Sequence, residues 1–413
     1  MPLIRPFAGL RPIPEHAADV AAPPYDVLNT EEARLRAAGK PWSFLHISKP
    51  EIDLPPATDP YSPAVYAKAV KNLAHLIEQG ILRRDAEPYY YLYRLVMGEH
   101  TQTGLVAAAS VAAYQNNRIR KHEYTRPDKE DDRVRQIDAL NAQTGPVMLT
   151  YRHSAVIDEA VQRLTAGAPE FDIAADTGVR HSLWVVRSPA DAAQLSAAFE
   201  TVGDLYIADG HHRCAAAARI ATSRSTANSA HGIDENYNYF LAVILPDNQM
   251  QILDYNRVVR DLNGLSPEEF LKRLEQNFDL TKSGEPVKPA RLGEFGLYLA
   301  GQWYRMNIHP QRIPHKDPVA RLDVSLLANY CLAPVLGIGD ARRDKCIEFV
   351  GGIRGLAELE RRVDSGEMAV AFSLFPTSMH DLMAGADAGE VRPPKSTWFE
   401  PKLADGLVSH MLD

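Results

Sequence analysis

The run Leu205-Tyr-Ile-Ala-Asp-Gly-His-His-Arg213, followed at once by Cys214-Ala-Ala-Ala-Ala-Arg219-Ile220, leaves little freedom in how the chain folds. Its apolar start suits a strand and its alanine tract a helix that can lie close to a sheet. Asp209-Gly210 breaks the two apart, and glycine permits a tight turn with close approach of a ligand to the backbone. A helix start concentrates partial positive charge and attracts anions. Arg213 adds a planar fork suited to phosphate or carboxylate. His211 and His212 add donors, and either would gate protonation near neutral pH. The composite predicts an anion site, phosphate first, at Asp209, Gly210, His211, His212 and Arg213. The plainer alternative makes Asp209 an N-cap and Arg213 a solvated charge. The adjacent histidines diverge by roughly 100° on a helix and make a poor chelating pair.

The second dense locus runs from Arg118 to Arg135, with seven Lys/Arg against five Asp/Glu. His122-Glu123 at a strand end offers a general base. Glu130, Asp131 and Asp132 offer carboxylates to Mg²⁺, a hard ion that prefers oxygen ligands. The alternative for residues 128–135 is a solvent-laced helix face with charge pairs.

Two stiff segments complete the candidates. Ala21-Ala-Pro-Pro-Tyr-Asp26 presents Tyr25 and Asp26 from a rigid turn, as substrate contacts or as a plain corner. Arg392-Pro-Pro-Lys-Ser-Thr-Trp-Phe-Glu-Pro-Lys402 offers Lys395, Ser396 and Thr397 to phosphate oxygens, without the glycines of a P-loop. No GxGxxG, GxSxG or HExxH is present.

The surrounding pattern bounds the fold. The chain has 413 residues, enough for two or three domains. Of its 29 prolines, 12 precede residue 64, which predicts a loop-rich arm over 1–64, ordered by Phe7, Leu10, Trp42 and Phe44. Helices are expected at Tyr66–Gln79 (apolar at Val70, Leu73, Ala74 and Ile77), Pro127–Asn141, Pro189–Phe199, His211–Ser223, Pro267–Asn277, Val324–Leu336 and Leu356–Val363. Strands are expected at Tyr89–Met97, Leu105–Tyr114, Val147–Tyr151, Leu183–Val186, Leu205–Ala208, Phe240–Leu245, Cys346–Val350 and Met368–Leu374. Their interleaving predicts an α/β or α+β protein of mixed sheets with packed helices. The turn-rich segment 280–294 is the expected boundary between a main domain (65–285) and a smaller C-terminal α/β region (286–413).

Lys+Arg total 45 and Asp+Glu 53, a net charge of −8. That argues against a broad nucleic-acid surface or an anionic membrane as partner, and for a small anionic or phosphorylated molecule held in a local pocket. No apolar run is long enough to span a membrane, the first residues lack an apolar signal core, and the three cysteines form no CxxC pair. A cytoplasmic home is therefore expected. Composition does not address oligomeric state.

RPFAGLRP and APPYDV near the start, HEYT and EDD in the middle, YIADGHHRCAAA, and PPKSTWFEPKL near the end together resemble the domain-of-unknown-function 1015 family. These markers span nearly the whole chain. Two positions depart from the pattern: Cys214 stands where an aromatic is usual, and Trp398 where tyrosine is. The DGHHR turn also looks like the nucleotide-phosphate turn of the ParB/sulfiredoxin-like fold, a group that includes free-serine kinases. The resemblance implies a ParB/sulfiredoxin-like element around that turn. It also implies phosphoryl chemistry on serine or a similar small hydroxy or amino acid, with ATP or ADP as nucleotide and Mg²⁺ as helper. Asp209, His211, His212 and Arg213 would then hold nucleotide phosphates and Glu123 would be the candidate base. A phosphoserine-type phosphatase, or a nucleotide- or metabolite-binding regulatory protein without turnover, would use the same parts.

Overall fold

The computed structural model describes residues 1–123, 125–341, 344–390 and 395–413. Tyr124 of the HEYT run and Arg392, Pro393 and Pro394 of the proline-framed loop lie outside the described residues. The chain forms two compact units: Met1–Lys121, Thr125–Met250 and Pro401–Asp413 make the first, His122–Tyr124 and Gln251–Glu400 the second.

In the first unit the described strands form a mixed nine-stranded sheet. Its order runs Ile119–Arg120, Leu205–Asp209, Val147–Tyr151, Tyr239–Pro246, His100–Ser110, Tyr90–Met97, Arg180–Val186, Phe171–Ala174, with Ile4–Arg5 pairing against His100–Ser110. Leu205–Asp209 is parallel to Ile119–Arg120 and antiparallel to Val147–Tyr151, and its register shifts between Ile207 and Asp209. One face of the sheet presents Leu149, Leu205, Ile207 and Ala242 to Cys214, Ala217 and Ala221 of the helix His211–Ala227. Small side chains on that helix face bring its axis close to the sheet. A second, four-stranded sheet carries Leu82–Arg84, Gly9–Pro12, Ser409–Met411 and Ala142–Gln143 in that order.

The second unit is built on a six-stranded antiparallel sheet, in the order Phe278–Ser283, Gln302–Ile308, Glu294–Leu299, Val370–Leu374, Tyr255–Val259, Ile347–Gly351. Phe270, Phe295, Leu327 and Phe372 meet in its core. A two-stranded ribbon pairs Gln251–Leu253 with Trp398–Glu400. Among the described residues no helix is long and apolar enough to cross a membrane.

The mixed α/β expectation holds, and four local ones change. The strand expected over Leu105–Tyr114 runs His100–Ser110, and the hydroxyl of Ser110 accepts from Ala113 N and starts the helix Val111–Gln115. Val324–Leu336 is not one α-helix: Asp323–Leu327 passes into a π-helical turn, Ala328–Leu332, ahead of Pro334, which cannot donate to a continuing ladder. The helix Pro63–Glu78 buries Val65, Tyr66, Ala69, Leu73 and Leu76 and leaves Val70 and Ile77 outward, a face turned from the expected one. Segment 280–294 lies within one sheet, because Phe278–Ser283 and Glu294–Leu299 both pair with Gln302–Ile308. The units divide after Met250 instead, and residues 401–413 return to the first.

Candidate anion site in the first unit

The strand Leu205–Asp209 carries four buried residues and a half-buried aspartate at its carboxyl end. Gly210 follows at φ 98°, the left-handed region that favours glycine, and it is the N-cap of the helix. Asp209 is therefore not the N-cap. Arg213 N and Cys214 N donate to Gly210 O at 2.9 and 3.1 Å, which sets the first turn. A Cβ at Gly210 would stand 3.4 Å from Val147 Cα.

Around this turn the fold fixes each side chain differently. Asp209 Oδ2 lies 3.1 Å from Lys402 Nζ. His211 is buried, and burial pushes its ring down to about 4, outweighing the nearby Asp209; it is neutral across the physiological range instead of titrating there. His212 Nε2 accepts from Arg126 N at 3.0 Å, which puts any single ring proton on Nδ1. Arg213 is nearly enclosed. Its Nη1 donates to Pro146 O at 2.6 Å, its Nη2 is 3.6 Å from Asp26 Oδ1, and its Cζ lies 5.3 Å from the Tyr25 ring centre. Burial works against the guanidinium's charge, but Asp26, Tyr25, Asp405 and Asp209 outweigh it and hold the group above its ordinary value.

Tyr25 and Asp26 reach this cluster because the arm is pinned from the far end of the chain. Ala22 N donates to Asp405 O at 3.1 Å, and Asp405 N to Ala22 O at 2.8 Å. Arg133 Cζ also sits over the Tyr25 ring, at 3.9 Å. Burial raises the Tyr25 hydroxyl, with Arg133 and Arg213 opposing. Tyr25, Arg133, Gln143, Gly145, Arg213 and Asp405 line a cavity of about 30 Å³. Asp405, only 2% exposed, is pushed up to about 7, by burial first and against the pull of Arg213.

The carboxylates proposed for Mg²⁺ do not fit that role. Asp132 accepts from Tyr66 Oη at 2.8 Å and from Arg133, while Asp131 and Glu130 accept from Arg219 at 2.7 and 3.0 Å. Both oxygens of Asp132 and of Glu130 and one of Asp131 are engaged by cations and hydroxyls, and neighbours on a helix point apart. In the second unit, His122 is buried and Glu123 half-buried. Lys395, at φ 59°, accepts through its carbonyl from Arg257 Nη2 at 2.8 Å. Ser396 is buried, with its carbonyl accepting from Thr377 Oγ1 at 3.1 Å, and Thr397 is half-buried.

Sequence reasoning missed Arg133, Gly145, Lys402 and Asp405. Arg133 read as part of a solvated charged face, and its one signal was position: it lies four residues before the buried Ile137. Asp405-Gly406 reads as a turn dipeptide, and nothing local points it at Arg213.

Fold and site together define a mixed α/β protein with a strand–glycine–helix turn flanked by the half-buried Arg213. The chain belongs to the family described as "Protein of unknown function (DUF1015)", whose model matches residues 4–325. No curated protein matches it. Among solved structures it has a distant likeness of fold to a conserved hypothetical protein from Pyrococcus furiosus, at 13% identity and TM-score 0.35, covering 73% of this chain and 95% of that one. A free serine kinase in complex with AMP is similar at 13% identity and TM-score 0.36, over 73% and 92% of the two chains. SbnI with C-terminal truncation from Staphylococcus aureus is similar at 11% identity and TM-score 0.39, over 73% and 85%.

Proposed function

We propose that this protein is a nucleotide-dependent phosphotransferase acting on serine or a similar small hydroxy acid, with the nucleotide's phosphates at Gly210–Arg213. The observation that carries the anion-binding half is the left-handed Gly210, which opens a helix start beside the nearly enclosed cation Arg213. The phosphoryl half rests on the DGHHR resemblance. Phosphoryl transfer asks little covalent work of a protein and depends on positioning and charge neutralisation. In this reading the acceptor oxygen attacks the terminal phosphorus and the bond to the remaining nucleotide phosphate breaks. The hydroxyl proton passes to Asp209, the carboxylate at the strand end. Lys402, 3.1 Å from Asp209, holds that carboxylate in place. His211, held neutral, adds no competing positive charge at neutral pH.

Phosphorus NMR of the protein with ATP or ADP, Mg²⁺ and serine tests the reading. A new phosphomonoester signal that is lost in Arg213→Lys, with the fold checked by circular dichroism, supports it. Unchanged spectra with both nucleotides, together with nucleotide-induced thermal stabilisation, leave a binding protein without turnover. Release of inorganic phosphate from phosphoserine would make it a phosphatase.

A further inference from the structure

Two buried polar atoms in the first unit have no hydrogen-bond partner among the described residues and border one space: Arg213 Nε and Asp405 Oδ1. Both stand 3.4 Å from the point a Cβ on Gly145 would occupy, in the cavity of about 30 Å³. A water needs roughly 10–15 Å³ measured this way, so the space admits a water or a small shift of the guanidinium. A donor and an acceptor that face one void without meeting form an interaction held open. Asp405 is also the residue that anchors the arm, bonding Ala22 in both directions through its backbone and receiving Tyr25 N on its carboxyl group.

We infer that Asp405 is a positioning residue for Arg213, a proton-controlled latch. As a carboxylate it draws the guanidinium into the space beside Gly145 and away from an anion at the Gly210 turn; protonated, it releases it. The inference rests on reading Gly210–Arg213 as the anion site. The charged groups facing Asp405 are Arg213, Arg133 and Asp26, with Asp209 also acting on Arg213. Arg133 is already committed to Asp132, which leaves Arg213 as the cation that Asp405 competes for. The carboxyl group's raised value, about 7, puts the exchange inside the physiological range. Anion affinity is then higher below pH 7 and falls as pH rises through it. For one proton this is about tenfold between pH 6 and pH 8.

The experiment uses the full chain and sulfate, whose charge is constant over that range, with dissociation constants measured by calorimetry from pH 6 to 8. The Arg213 Nε–H resonance, assigned by its loss in Arg213→Lys, is followed by ¹⁵N NMR over the same range. The expected result is an affinity falling about tenfold in wild type and less than twofold in Asp405→Asn, with an Nε titration near pH 7 in wild type alone. Gly145→Ala is the second variant. Its methyl would stand at ordinary contact distance from both atoms, separating them without changing either charge, and it should flatten the pH dependence as Asp405→Asn does. Equal pH dependence in wild type and Asp405→Asn, or an Nε signal that does not titrate, overturns the latch. An Nε signal that titrates in wild type and not in Asp405→Asn, in a protein that binds no sulfate, supports the latch and sinks the anion reading. Sulfate binding with the expected pH dependence but no phosphoryl transfer supports it and sinks the transferase.

Discussion

Lys402 Nζ lies 3.1 Å from Asp209 Oδ2, so the last thirteen residues, Pro401–Asp413, close the charge balance at the end of a strand laid down in mid-chain. The same return supplies Asp405 to Arg213 and the strand Ser409–Met411 to the sheet that holds Gly9–Pro12. The surroundings of the Asp209–Arg213 turn are thus assembled from both ends of the chain, and its properties should answer to changes made far from it in sequence.

Lys402→Ala removes the partner of Asp209. The pair is partly exposed, so the loss of stability is modest, about 1 kcal/mol or less. The larger effect falls on the proposed reaction, because Asp209 loses the group that holds it in place. Urea denaturation should show a small change in midpoint, while turnover falls several-fold.

Gly210→Ala places a Cβ on a residue at φ 98° and 3.4 Å from Val147 Cα. Left-handed backbone costs a non-glycine residue about 1–2 kcal/mol, and relief requires moving the helix start. The expected outcome is destabilisation of that size by urea titration, with a larger relative loss of nucleotide-induced thermal stabilisation. A variant as stable as wild type would mean that the turn relaxes freely.

Asp405 makes stability depend on pH with a definite sign. Burial raises its folded value to about 7, above the ordinary carboxyl range near 4. Between those limits the folded chain keeps a proton that the unfolded chain has lost. Its contribution is complete below about pH 4, declines as pH rises, and is gone above about pH 7. The buried His211, His181 and His410, each pushed down to about 4, act oppositely: their contribution is present above about pH 6.5 and is lost as pH falls through 4. The effect of Asp405 is therefore isolated as a difference. Wild type minus Asp405→Asn, followed by chemical denaturation from pH 4.5 to 8, should fall steadily up to pH 7 and then level.

Tyr66→Phe deletes the hydroxyl that donates to the buried Asp132 at 2.8 Å. Removing one partner of a buried, charge-accepting bond costs about 1.5–3 kcal/mol. Because Asp132 also orients Arg133 over Tyr25, amide exchange in the Ala21–Asp26 turn should rise. Mg²⁺ affinity should not change, since Asp132 serves an ion pair.

Much of the fold was legible locally. The strand–glycine–helix run at Leu205–Ile220 declares itself because apolar alternation, a mandatory glycine and an alanine tract all sit within a few residues. The helix Pro127–Leu140 was equally plain. The face of Pro63–Glu78 was not: two apolar stripes compete there, and packing chose Val65, Ala69 and Leu73 over Val70 and Ile77. The strand Phe278–Ser283 hid in a turn-rich, polar segment, because an edge strand with one exposed face needs few apolar residues.

The sequence by itself determined the mixed α/β class, the strand–glycine–helix turn at Asp209–Arg213 and the stiffness of the Pro23-Pro24-Tyr25-Asp26 corner. Each depends on neighbours within a turn or two, where backbone propensity and side-chain period are sufficient. Tertiary structure decided that Arg133 leaves the solvated helix face to cover Tyr25, and that Asp131 and Asp132 serve ion pairs instead of a metal. It also brought Asp405, from the far end of the chain, to face Arg213 across Gly145. Those outcomes depend on which buried charge meets which. That is set when the sheet carrying Gly9–Pro12, Ser409–Met411 and Ala142–Gln143 closes, and no local pattern encodes it.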